Sequence, residues 1–184
     1  MKQKEGNTTH INELIAACEN GTLRSKERLY KHFYSYAMSI SRLYTYSNDD
    51  AVSILNDGFL KVFAALDKGR YDIKTPFKYW LRRIIINTAI DSYRKNLKHY
   101  HHLDIEEMDH LQTGSDHMEG LTFQDFMKLL DQLPELHRLV FNMYEIQGYK
   151  HDEIAKKLGI ETSSSRVFLT RAKKKLRVLY NQNF

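Results

Sequence analysis

Two sets of side chains in this chain are spaced to do chemistry, and both are cationic. Near the C-terminus, Leu169, Ala172, Leu176 and Leu179 recur as an apolar stripe. Placing that stripe inward, a rotation of ~100° per residue turns Ser163, Val167, Thr170, Arg171 and Lys174 outward, with Arg166 at the edge. Such a face suits duplex DNA. Arginine offers a bidentate fork to guanine, hydroxyls are adaptable partners, valine can touch a thymine methyl and lysine neutralises phosphate. The second set is Arg83, Asn87, Asp91 and Arg94, at spacings of four, four and three. Arg82, Tyr93 and Lys95 flank it, and Tyr71, Phe77, Tyr79 and Trp80 lie at or before its start. Cations interleaved with aromatic rings suit single-stranded nucleic acid, where bases stack and amides read base edges. For Phe77 and Trp80, which fall on an apolar stripe, core packing is the preferred reading.

The elements that must hold these faces are helices. Among 184 residues only two are Pro and eight are Gly, and nearly all of these breakers lie between long apolar-periodic runs. Ile11, Leu14, Ile15 and Cys18 form one run, stopping at Asn20-Gly21. A helix from about Leu23 to Tyr44 carries Leu29, Tyr30, Phe33, Tyr34, Ala37, Met38 and Ile40 as a wide apolar stripe. Ser47 to Asp50 offers a cap for a helix bearing Val52, Leu55, Phe59, Val62, Phe63 and Leu66. Thr75 as N-cap and Pro76 at the first helical position open the helix of the second set. Its predicted buried stripe is Phe77, Trp80, Leu81, Ile84, Ile85 and Thr88. Further on, Pro134 starts a helix through Ile146 that ends at Gly148. A short helix from Asp152 to Leu158, a turn at Gly159 and the basic helix behind it then read as a helix-turn-helix.

The expected fold is therefore all-α, with two small helical domains and a flexible acidic linker. The boundaries read as a polar tail over 1–10, a helical domain over 11–96, a linker over 97–120 and a helix-turn-helix domain over 121–184. The net charge of +5 hides a segregation. Lys68 to Lys98 holds nine Lys/Arg against Asp72 and Asp91, Leu103 to Glu135 is acidic apart from Lys128, and Arg166 to Arg177 has no acid. Two basic surfaces separated by an acidic connector point to two contacts with a polyanion.

Other function classes fare worse. No apolar run approaches the ~18 residues of a membrane span. The N-terminal residues lack the apolar core of a signal peptide and Cys18 has no internal partner, so the expectation is a reducing cytoplasm. His99, His101 and His102 with nearby acids could bind zinc weakly, but they lie in an irregular segment without a thiolate. We expect no resident metal, no cofactor and no enzymatic activity. Cys18 reads as a small core residue.

The motifs also carry a family resemblance. Asp50 to Phe63 (DAVSILNDGFLKVF), Pro76 to Ile84 (PFKYWLRRI) and Asn87 to Asp91 (NTAID) resemble region 2 of the sigma-70 family. Leu133-Pro134-Glu135, Gly148 to Ala155 (GYKHDEIA) and Leu169 to Leu176 (LTRAKKKL) resemble its region 4. The short linker leaves no room for a region 3 domain, which implies the extracytoplasmic-function group. The resemblance implies a promoter-specificity subunit of RNA polymerase. Asn56, Asp57 and Leu60 would lie on the helix that docks on the coiled coil of the largest polymerase subunit. Asn87 would stand near the position that captures a base flipped from the minus-ten element. Arg166, Val167, Thr170 and Arg171 would face bases of the minus-thirty-five element. An anti-sigma factor would be a further partner. Departures from the family pattern are Ser53 for an acid, Asp57 for a Glu, Lys150 for a Ser or Thr cap, and Ser163-Ser164-Ser165 for a Gly-containing helix start.

A competing reading is a transcription regulator that uses the helix-turn-helix without core polymerase, its N-terminal half serving dimerisation or ligand binding. That reading leaves Arg83, Asn87, Asp91 and Arg94 without a task.

Overall fold

The computed structural model describes residues 2–19, 21–97 and 122–184. Among these residues the chain forms eight α-helices and a π-helical turn, with no strand. They divide into two compact units, Met1–Ser92 and Tyr93–Phe184.

The first unit is built from α1 (Lys2–Glu19), α2 (Leu23–Ser41), α3 (Asn48–Leu66) and, as far as Ser92, α4, which runs Phe77–Leu97. Helix α1 extends back through the residues read as a polar tail. Short polar side chains fix two entries. The Thr22 hydroxyl oxygen accepts from the Ser25 amide at 3.3 Å, and that of Ser47 accepts from the Asp50 amide at 3.2 Å. The start of α4 differs by a residue from expectation: the Pro76 carbonyl accepts from the Tyr79 and Trp80 amides, so Pro76 precedes the first helical residue. Thr75 instead closes a turn onto the Asp72 carbonyl. At the other end of α2 the helix stops at Ser41, and Leu43 and Tyr44 are buried in the following turn.

Leu14, Ile15 and Cys18 of α1, Leu29, Phe33, Ala37 and Ile40 of α2, Leu55, Phe59, Val62 and Leu66 of α3, and Phe77, Leu81 and Ile85 of α4 are buried. Burying each large apolar side chain contributes ~1.5 to 3 kcal/mol before entropy is subtracted. The α2 stripe is narrower than predicted, since Tyr30 is half-buried and Tyr34 exposed. On α4, Trp80 and Ile84 are half-buried, and Ile86, Ala89, Ile90 and Tyr93 are buried as well as Thr88. A helix gripped on more than one side buries a wider arc than a single stripe describes.

Gly58 has a packing reason. A Cβ built there would overlap Cδ1 of Ile85, so the glycine lets α3 and α4 approach.

The second unit contains α5 (Phe123–Leu130), α6 (Glu135–Phe141), the π turn (Asn142–Ile146), α7 (His151–Leu158) and α8 (Thr162–Asn183). Thr122 caps α5 through the Asp125 amide, and Pro134 sits immediately before α6. The helix predicted to run through Ile146 is α-helical only to Phe141 and then widens into the π turn. Gly148, with φ of 73°, ends it. Leu129, Leu130, Leu139, Val140, Met143, Ile154 and Leu158 pack with the inward residues of α8 into one core. Arg138 is buried to 1% exposure inside this apolar set, and its guanidinium donates to the Asp131 carboxylate at 2.6 Å. The pair fastens α6 to the end of α5, because a buried guanidinium left without its carboxylate costs several kcal/mol.

Candidate functional site

In the second unit, α7 and α8 make the helix-turn-helix. Lysine has no acceptor to cap α7, so the sequence uses the other half of a capping box. The Lys150 amide donates to the Glu153 carboxylate at 2.8 Å. Gly159 adopts φ 72°, ψ 35°, the left-handed region that a side chain would resist, and its amide and that of Ile160 both return to the Ala155 carbonyl. Ile154, Ala155 and Leu158 from α7 and Leu169, Ala172, Leu176 and Leu179 from α8 are buried, as the periodicity predicts.

That packing fixes which face of α8 points outward. Ser163, Arg166, Val167 and Thr170 are exposed, Val167 to 45%, and Arg171 and Lys174 are partly exposed. The Thr170 hydroxyl donates to the Arg166 carbonyl at 3.0 Å, so its lone pairs remain for a donor. Lys173 is drawn aside by Glu145 at 2.6 Å.

Sequence reasoning did not find the tie that sets the angle between α7 and α8. Ser165, one of the three serines at the helix start, is fully buried, and its Oγ lies 2.9 Å from Nδ1 of His151 at the first turn of α7. The His151 ring stacks on Tyr144 at 4.5 Å. Burial, then the Arg166 guanidinium, holds its pKa below the usual histidine range. Burial, then Arg171 and Lys175, does the same for His137, whose ring lies against Phe168.

The α4 face presents Arg83 and Arg94 exposed and Asn87 partly exposed. Asp91 is exposed but paired: its carboxylate accepts from Lys61 of α3 at 2.9 Å. Tyr93, expected to flank this face, is buried instead. The aromatics at the start of α4 form a graded cluster. Phe77 is buried against Phe33, Trp80 is half-buried with its ring 4.9 Å from that of Tyr71, and Tyr79 is 66% exposed. Thus core packing holds for Phe77 and only in part for Trp80. The Tyr71 hydroxyl donates to the Thr75 carbonyl at 2.7 Å and pins the loop that leads into α4.

On α3, Asn56, Asp57 and Leu60 are exposed, Leu60 to 66%, while Leu55, Gly58 and Phe59 face inward. The histidine cluster at His99, His101 and His102 lies outside the described residues. Among those described, no group of His, Cys, Asp and Glu is placed to hold a metal, and no helix is long and apolar enough to cross a membrane.

Comparison with known proteins agrees with this division. Residues 29–99 match the family model for sigma-70 region 2 and residues 123–176 that for sigma-70 region 4, together more than half of the chain. The chain is similar to the RNA polymerase sigma factor SigV of Bacillus subtilis, 29% identical over 149 residues, covering 79% of this chain and 82% of that protein. It is also similar to the extracytoplasmic-function sigma factor SigM of Mycobacterium tuberculosis, 24% identical over 164 residues, covering 89% and 81%. Its fold resembles that of the sigma factor RpoE from Bartonella quintana, solved with the anti-sigma factor NepR. The TM-score is 0.50 at 18% identity, over 86% of this chain and 98% of that one. The match to region 2 gives the N-terminal half the task that a stand-alone regulator would leave empty. With its region 2 helices, its region 4 helix-turn-helix and these relatives, the chain belongs to the sigma-70 family of RNA polymerase sigma factors, in the extracytoplasmic-function group.

Proposed function

We propose that this sigma factor divides promoter recognition between its two units by the physical form of the DNA each one meets. The observation that carries this is the contrast between two exposed cationic faces: α8, with no acid between Arg166 and Arg177, and α4, with an amide and an aromatic cluster. Ser163, Arg166, Val167, Thr170, Arg171 and Lys174 read the minus-thirty-five element as duplex. A helix seated in the major groove by a rigid turn presents just such a set of forks, hydroxyls and one methyl-bearing contact.

Arg83, Asn87 and Arg94 hold the separated strand of the minus-ten element. The Asn87 amide hydrogen-bonds an unpaired base edge, the exposed ring of Tyr79 offers a stacking surface beside the half-buried Trp80, and the arginines follow the phosphates. Asp91 assists through Lys61 by fixing α4 on α3. No Walker-type loop occurs in the sequence, so strand separation draws on binding free energy alone. Asn56, Asp57 and Leu60 dock on the coiled coil of the largest polymerase subunit. An anti-sigma factor is a further partner, a reading supported by the RpoE relative solved with NepR.

Run-off transcription with core polymerase on a randomised promoter library tests this reading. Enriched templates should share two short elements, one read as duplex and one melted. A chain that binds duplex tightly yet never joins core polymerase would overturn it.

A further inference from the structure

The docking surface on α3 is not made by α3 alone. Across from Asn56, the phenol of Tyr30 on α2 donates to the side-chain amide oxygen of Asn56, Oδ1, at 2.9 Å. The residues are 26 apart in sequence, and both helices are long and well buried on their inner sides. The Tyr30 ring is itself held from two sides, lying 4.8 Å from the ring of Phe59 in the core and 5.6 Å from that of Tyr34. Desolvation raises the Tyr30 pKa, which keeps the phenol protonated and a donor throughout the neutral range.

This contact has a chemical consequence for what α3 shows a partner. A primary amide can turn over and present either its oxygen or its nitrogen outward at little cost. The Tyr30 hydroxyl can donate to the amide oxygen or accept from the amide nitrogen, so its bond fixes the position of the Asn56 side chain whichever way the amide is turned. The exposed row then reads, along one face of α3, as an amide at Asn56, an acceptor at Asp57 and an apolar knob at Leu60. A helical partner that fits must bring a polar group, a cation and an apolar side chain in matching order.

We propose that Tyr30 is a positioning residue for polymerase binding, acting by holding the Asn56 side chain in one rotamer before docking. The proposal rests on the reading of Asn56, Asp57 and Leu60 as the docking row. Preorganisation of this kind strengthens binding because the orientational freedom is lost on folding and not on association.

A double-mutant cycle on the full chain tests it, with affinity for purified core polymerase as the readout. Tyr30→Phe removes the hydroxyl and keeps the ring against Phe59 and Tyr34, so the folded chain should melt as the parent does. We expect Tyr30→Phe to weaken core binding by roughly threefold to tenfold, the scale of ordering one side chain on association, and Asn56→Ala by at least as much. In the Asn56→Ala background, Tyr30→Phe should have almost no further effect, because the group it positions is gone. A phenol that mattered only for packing would weaken binding equally in both backgrounds, which would overturn the proposal. So would parental affinity of Tyr30→Phe alongside a weakened Asn56→Ala. If Asn56→Ala and Leu60→Ala both bind as the parent does, the docking row itself is misplaced and the inference falls with it.

Discussion

On α8 the exposed cations stand among hydroxyls and one aliphatic side chain, with Lys173 as the member drawn off by an acid, Glu145. On α4 the exposed cations stand beside an amide and a cluster of rings, and the acid on that face, Asp91, is tied to Lys61. Positive charge is common to both, so it cannot be what distinguishes the form of DNA each face accepts. The difference lies in what accompanies it. Duplex bases show only their edges in a groove, which forks, hydroxyls and a methyl contact can read. Unpaired bases show their faces too, and only rings can use those.

Arg171→Ala should cost ~1 to 3 kcal/mol in minus-thirty-five duplex binding and relax its base preference, with minus-ten single-strand binding unchanged. Footprints identical to the parent would remove Arg171 from the reading face. Tyr79→Ala should weaken the binding of a single-stranded minus-ten oligonucleotide to holoenzyme by about 1 to 2 kcal/mol, at the lower end of base-aromatic stacking, while leaving duplex affinity alone. Loss of duplex affinity in that variant would mean the ring serves the fold.

Asp91→Asn separates two roles for one residue. If the carboxylate is a tie, its exposed pair with Lys61 is worth at most ~1 kcal/mol of stability, and removing a negative charge from a cationic face should raise single-strand affinity slightly. A fall in strand affinity with no change in melting would instead make Asp91 a direct reader.

The smallest expected effect is on acid stability, and it belongs to the second unit. His137 and His151 both have pKa values held below the usual range, by burial first and then by neighbouring cations. The unfolded chain therefore takes up protons near pH ~6.5 that the folded unit refuses, so stability is complete above that pH and is lost as pH falls through it. Trp80 is the single tryptophan and lies in the first unit, so its fluorescence follows that unit while circular dichroism follows both. Between pH 7.5 and 5.5, the dichroism should develop an earlier transition that the tryptophan signal lacks. A dichroism transition that stays put, or moves up on acidification, would contradict the assignment.

How much of this was legible in the residues follows from what periodicity can encode. The inward stripe of α8 was legible because Leu169, Ala172, Leu176 and Leu179 keep helical spacing over several turns, and the turn before it because Gly159 stops a periodic run. Fixing the inward face also fixed the outward one, which is why Ser163, Arg166, Val167 and Thr170 emerge where expected. Contacts between residues far apart in the chain leave no such mark. The bonds from Tyr30 to Asn56, Lys61 to Asp91 and His151 to Ser165 join polar groups on different helices, and nothing in either segment announces its partner. Nothing local in the sequence marks Arg138 as internal, and only the packing of α6 puts it inside. The π turn at Asn142–Ile146 was hidden for a related reason, since an extra residue within a turn hardly alters local composition. The close approach of Gly58 to Ile85 likewise joins two helices and leaves no local sign.

Strand capture and duplex reading should be separable, one on each unit. Permanganate probing of Asn87→Ala holoenzyme on a target promoter, with protection of the minus-thirty-five element followed in the same reactions, tests this separation. The protection should persist while thymine reactivity in the minus-ten element falls well below that of the parent. Parental reactivity in the variant, or loss of both signals together, would contradict it.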